Sequence, residues 1–159
     1  MPLLLIAALL AADTPPPPNP RIDYPGFQKL AADVAPRRER RRVTFARFQE
    51  MARNGEAVIL DARSADAFRK GHIDGAVNLP LTDFTADALA AALPDRTRPI
   101  LIYCNNNFAN DRSPVRLKAP AVSLNIQTFI NLAAYGYANV YELGETVDFD
   151  DPAVRWVKG

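Results

Sequence analysis

The chain carries one cysteine, Cys104. It directly follows the apolar run Pro99-Ile100-Leu101-Ile102-Tyr103 and directly precedes Asn105-Asn106-Asn107. A β-branched, aromatic-containing run that ends in a polar turn reads as a buried strand feeding a loop. Loops at the carboxyl ends of strands in open α/β sheets are where ligands collect and reactions occur. A thiol at that position is a candidate nucleophile, because helix N-termini and cations favour the reactive thiolate there. The competing expectation is a small core residue, since free cysteine is among the most buried side chains.

The elements that must hold Cys104 alternate in type from Val43 onward. Thr44 caps a helix carrying Phe45, Phe48 and Met51 on one side and ending at Asn54-Gly55. Ala57-Val58-Ile59-Leu60 reads as a buried strand, and Ser64 caps a short helix through Phe68 that Gly71 closes. A second strand covers residues 75–79, and Thr85 caps a helix over 86–93 with Ala88, Leu89, Ala92 and Leu93 facing inward. Residues 99–103 form the third strand. The last long helix lies within 120–135, with a core-facing stripe of Val122, Ile126, Phe129, Ile130 and Ala133, and Gly136 ends it. Asn139-Val140-Tyr141 is a fourth strand. Helices alternating with continuously apolar strands indicate an α/β fold with a central parallel sheet and helices on both faces.

Composition bounds the remainder. A chain of 159 residues suits a single core, and a formal net charge of +1 argues against nucleic acid as a partner. One cysteine excludes any disulfide within the chain. Residues 1–12 have the apolar centre of a secretory signal, with small residues at Ala11 and Ala12, although no basic residue precedes it. The stretch is too short to span a bilayer. Export, with a periplasmic location, is therefore expected, and membrane contact only through an uncleaved N-terminus. Residues 13–20 form a stiff proline-rich tether. Residues 21–42 are an N-terminal extension with a short apolar-periodic piece (Phe27, Leu30, Ala31, Val34) ahead of Pro36. The basic run Arg37-Arg38-Glu39-Arg40-Arg41-Arg42 then reads as a solvated face, with an anionic partner as the alternative. The globular domain covers 43–150 and a tail covers 151–159. The Asp148-Asp150-Asp151 cluster lacks the glycine and distal glutamate of a calcium loop and reads as a solvated turn, so no metal and no cofactor is expected.

The stretch Val58-Ile59-Leu60-Asp61-Ala62-Arg63, then Phe68, then Gly71-His72-Ile73-Asp74-Gly75-Ala76-Val77-Asn78-Leu79-Pro80, then Ile100 to Cys104, resembles the rhodanese family. Residues 134–143 resemble its closing helix-to-strand turn. The resemblance implies a sulfurtransferase whose thiolate, Cys104, takes a sulfane sulfur from a small sulfur-containing anion and hands it on. An outside acceptor, such as a thiol, must receive it, because no second cysteine can resolve the persulfide. Successive backbone N–H groups after the strand would cradle the sulfur as an anion-binding nest. Asn105, Asn106, Asn107 and Phe108 are the candidates, since Asn suits tight turns, although asparagines can also simply solvate a loop. Asp61, Arg63 and His72 are expected to be structural residues near the site, with Arg63 paired to a local carboxylate.

The loop after Cys104 is longer than the family pattern, and the helical stripe begins only after Pro120. Ala109 and Asn110 occupy the positions where a cysteine phosphatase needs its arginine, which removes that reaction class. The insertion carries Arg112, Arg116 and Lys118. One of them, Arg112 foremost, folds back over Cys104 to bind an anion, or all three face water on a surface flap. A non-catalytic binding module in the cell envelope and a redox role through mixed disulfides are the rival functions.

Overall fold

Every side chain of Ile100–Tyr103 is buried, and they divide by parity between two apolar clusters. Ile100 and Ile102 join one cluster; Leu101 and Tyr103 join the other. A strand covered on both faces has no polar side to present, so the run is continuously apolar rather than alternating. This strand lies in the middle of a five-stranded parallel sheet. The computed structural model describes residues 16–159; the apolar run expected to act as a leader, and the start of the tether, lie outside them.

In chain order the described elements are α1 (Tyr24–Arg40), β1 (Arg42–Val43), α2 (Phe45–Arg53), β2 (Val58–Asp61), α3 (Ala65–Lys70), β3 (His72–Ile73), β4 (Val77–Asn78), α4 (Ala86–Ala92), β5 (Ile100–Tyr103), α5 (Leu124–Ala134), β6 (Val140–Leu143) and β7 (Trp156–Val157). The main sheet runs β1-β6-β5-β2-β4, with Leu60 opposite Ile102 and Ile102 opposite Glu142. From β4 the chain returns across β2 to lay down β5. The order therefore reverses beside β5, where carboxyl-end crevices open in such sheets.

Helices α1, α4 and α5 cover one face through Val34, Leu89, Phe129, Ile130 and Leu132. The other face is covered by α2, through Phe48 and Met51, and by the antiparallel β3–β7 ribbon. Each expected cap forms: Thr44 accepts from the Arg47 amide, Ser64 from Ala67 and Thr85 from Ala88. Gly136 ends α5 at φ +86°, a backbone that disfavours side chains.

Two local expectations change. Val122 is not part of the core stripe: it is 53 % exposed, on a 3-10 turn at Pro120–Val122. Ser123 is extended (ψ 138°), so the phase of the stripe is lost there and α5 starts at Leu124. Pro36, expected to stop the apolar piece, lies inside α1, which continues to Arg40.

Candidate active site

Parity along β5 also decides where Cys104 points. It follows the Ile100 and Ile102 side, and so reaches the amino end of α5 rather than the aromatic cluster around Tyr103. There the backbone N–H groups of Asn125 and Asn106 and the hydroxyl of Ser123 surround the sulfur, and each acts to pull the thiol down. The positive end of the helix dipole adds to these donors. Burial pushes the Cys104 thiol up, these donors pull it down, and the nearby Glu142 charge pushes it up again; the net direction is up. The residue is only 1 % exposed.

Of residues 105–108, the backbone of Asn106 and Asn107 faces the thiol. Asn105–Asn107 form a 3-10 turn, in which the Asn107 amide donates to Cys104 O and the Phe108 amide to Asn105 O, each at 3.0 Å. The Phe108 amide is thereby spent in the turn, while the Asn107 amide also faces the Cys104 side chain in a capping-box arrangement. Asn106 and Asn107 face the thiol from the loop, and Asn125 and Ser123 from the head of α5. The Phe108 side chain turns into the opposite core, edge-on to Tyr103 and Trp156.

The asparagine side chains build the loop. Asn107 Oδ1 accepts from Cys104 N (2.9 Å) and Asn125 Nδ2 (2.8 Å), while its Nδ2 donates to Leu143 O (2.8 Å) and Glu145 O (3.1 Å). A primary amide has two donors and two acceptor lone pairs, so Asn107 is fully used and rivets the loop to β6 and α5. Asn105 and Asn106 donate to Arg116 O and Lys118 O, both at 2.7 Å, and hold the insertion. Val115, 0 % exposed, anchors it in the core.

A cavity of about 150 Å³ adjoins the thiol, lined by Cys104, Ser123, Asn125, Glu142, Arg38 and Arg42. Its cations come from α1 and β1. Arg38 pairs with the buried Glu142 through Nη2–Oε1 and Nε–Oε2, both at 2.6 Å. Parallel pairing sets Arg42 opposite Glu142. Arg112, Arg116 and Lys118 do not line this cavity. Arg112 pairs with Asp150 above the Phe149 ring, Arg116 donates to Asp111 O, and Lys118 borders a separate cavity across the loop. The insertion is pinned down by Val115 and by the asparagines, which leaves its charges on the outer surface. Within the Arg37–Arg42 run, Glu39, Arg40 and Arg42 are exposed as a solvated face would be, and Arg38 and Arg42 also border this cavity.

Asp61, Arg63 and His72 lie away from the thiol's cavity, in the framework that holds β5. Asp61 and Arg63 are buried and paired at 2.5 Å, and Arg63 also donates to Gly71 O at 2.7 Å. Burial, reinforced by the Asp61 charge, pushes the Tyr103 phenol well above its ordinary range. It therefore keeps its proton and donates to Asp61 at 2.6 Å, while accepting from Ile73 N at 3.1 Å. His72 Nδ1 lies 2.9 Å from Phe68 O and its ring stacks on Phe68. These groups join β2, β3 and β5 into one rigid floor. None of them lines the cavity at the thiol.

Sequence reasoning missed Arg38, Arg42, Glu142, Ser123 and Asn125. One signal was available: a glutamate inside the otherwise apolar strand ending at Leu143 demands a cation, and the basic run could provide one.

Comparison with known proteins places the fold in a family. The family model described as a rhodanese-like domain matches residues 44–145. The uncharacterized protein YibN of Escherichia coli K12 is 29% identical over 92 residues, 58% of this chain and 54% of that protein. The thiosulfate sulfurtransferase PspE of the same organism is 33% identical over 46 residues, 29% of this chain and 43% of PspE. The chain thus spans about half the length of the YibN sequences it matches. A rhodanese-like domain from Anabaena sp., solved by NMR, superposes with a TM-score of 0.50 at 20% identity, over 75% of this chain and 80% of that one, which speaks to the fold alone.

Proposed function

The chain belongs to the rhodanese-like domain family, and from that premise we propose that it is a sulfurtransferase carrying sulfane sulfur as a persulfide on Cys104. The Cys104 thiol gives its proton to solvent, and the thiolate attacks the outer sulfur of a donor such as thiosulfate. The donor's S–S bond breaks, sulfite leaves with the electron pair, and Cys104 holds a persulfide anion. An external nucleophile, a thiol or cyanide, then takes the terminal sulfur and regenerates the thiolate. Internal resolution is closed, because the chain has no other cysteine.

One observation carries the reading: Cys104 shares its cavity with Asn106, Ser123 and Asn125 at the head of α5, whose polar hydrogens favour an anionic sulfur. Such donors stabilise an anionic sulfur before and after transfer, as an oxyanion hole does. The cavity beside it is of a size for a small ligand, and its charged lining is balanced, Arg38 and Arg42 against Glu142 and Glu145. The apolar run at 3–12 is the ground for placing this activity outside the cytoplasm, in the periplasm.

A second reading has a specific observation behind it. A thiol 1 % exposed and pushed up by burial suits a binding module that holds an anion without transferring sulfur. Intact mass spectrometry after incubation with thiosulfate separates the two. The sulfurtransferase gains one sulfur atom, lost again on adding cyanide and never gained by Cys104→Ser. A wild-type protein that stays unmodified by thiosulfate and by a low-molecular-weight persulfide is the binding module.

A further inference from the structure

The family match begins at residue 44, yet both cations lining the Cys104 cavity lie before it. Arg38 is near the end of α1, and Arg42 stands in β1, the edge strand added to the sheet beside β6. Their common neighbour is Glu142, a carboxylate whose side chain is 7 % exposed and which also borders the cavity. A buried charge is tolerated only when paired, and Arg38 pairs it through one hydrogen bond, from Nη2, with Nε in close charge contact. The carboxylate and the thiol are also joined through the amides: Asn125 Nδ2 lies 3.5 Å from Glu142 Oε1 and 2.8 Å from Asn107 Oδ1, which accepts from Cys104 N.

We propose that Arg38 and Glu142 are a coupled pair of positioning residues that set how readily Cys104 ionises, so that α1 is a working part of the active site. This rests on Cys104 being the reactive thiol of the proposed sulfurtransferase. The charged groups lining the thiol's cavity are Arg38 from α1, Arg42 from β1, Glu142 from β6 and Glu145 beyond it. Arg42 is shared with Glu39 at 3.1 Å and lies half-exposed, where solvent screens it. Glu142 is the deeply buried member, so its repulsion of a thiolate is the least screened, and Arg38 is the group that cancels it. Movement of α1 away from β6 would leave that repulsion unopposed and quench the thiol. Docking of α1 would restore reactivity.

The test is the pH-rate profile of Cys104 alkylation by iodoacetamide, which needs no sulfur transfer and no anionic donor. Glu142→Gln is expected to move the half-reaction pH down by about one unit and so raise the rate at neutral pH about tenfold. Arg38→Gln is expected to move it up by a similar amount. The double variant R38Q/E142Q, with the charge pair removed together, is expected to return close to wild type. If R38Q does not fold, E142Q and the double variant decide, with thermal melting as the check on folding. Profiles of folded E142Q and R38Q that superpose on wild type, or that shift in the same direction, overturn the proposal. Sulfur loading is measured in parallel: absent loading from both thiosulfate and a low-molecular-weight persulfide, with the expected alkylation shifts, removes the sulfurtransferase reading and leaves the charge pair standing.

Discussion

At Cys104, stabilising donors and a penalising environment meet on one atom. Amide and hydroxyl donors favour the thiolate, while burial and Glu142 oppose it, and the opposition wins in the folded resting protein. The sign of the pH dependence follows. A thiol pushed up by folding stays protonated through the range where an ordinary thiol, at about 8.5, ionises. Alkylation of the native protein is therefore expected to reach half its limiting rate at a higher pH than that of the urea-unfolded chain; a lower value contradicts the burial account. The linked stability is fully present below the unfolded thiol's pKa and is lost as pH rises through the folded one. In that alkaline window wild type should lose stability that Cys104→Ala keeps, readable by denaturant titration at two pH values. Asn107 makes the complementary case for hydrogen bonding. Asn107→Ala leaves the buried Cys104 N–H and Leu143 C=O without partners, and is expected to cost about 2–4 kcal/mol in chemical unfolding. A loss below 1 kcal/mol would mean that the asparagine does not hold the loop.

Among the elements, α1 was the least legible in the sequence. Proline in a helix interior removes one N–H···O bond and disfavours continuation, so Pro36 reads as a stop. Tertiary contacts overrule it: Val34 is buried against α5's cluster before the proline, and Arg38 is fastened to Glu142 after it. Both contacts are long-range, and local patterning cannot show them. Pro36 and Ala32, the residue four before it, are both exposed, which keeps the cost low. Pro36→Ala is accordingly expected to stabilise the protein by only about 1–2 kcal/mol, measured as a raised denaturant midpoint. Destabilisation would show that the helix needs the proline's shape. The capped helices α2, α3 and α4 were legible because their signals are local: Thr44, Ser64 and Thr85 each stand immediately before a helix and bond its third residue. The insertion after Cys104 was half legible. Its extra length is plain in the sequence, but the burial of Val115 and the Asn105 and Asn106 clamps are tertiary facts.

In the molecule as a whole, segments flanking the family match close the two faces of the sheet. Helix α1 seals the face that carries Cys104, and β7 seals the other by pairing with β3 and stacking Trp156 on Phe149. Gly71 permits this closure, since a Cβ there would lie 2.2 Å from Trp156 Nε1. The parallel α/β architecture was readable because continuous apolar strands and alternating helices are a whole-chain pattern. The two-residue strands β1, β3 and β7 were not, because their pairing is set by partners distant in sequence. Separation of the faces gives a prediction at this scale. Trp156→Ala is expected to lower stability by about 2–4 kcal/mol through lost aromatic packing, while the folded variant alkylates Cys104 at the wild-type rate. A changed alkylation rate would mean that the two faces are coupled. The central claim, that the sulfur at the head of α5 is a carrier, is tested most directly by the rate of thiocyanate formation from thiosulfate and cyanide. Wild type is expected to turn over repeatedly and Cys104→Ser to fall to the uncatalysed rate; equal rates in the two proteins would contradict the account.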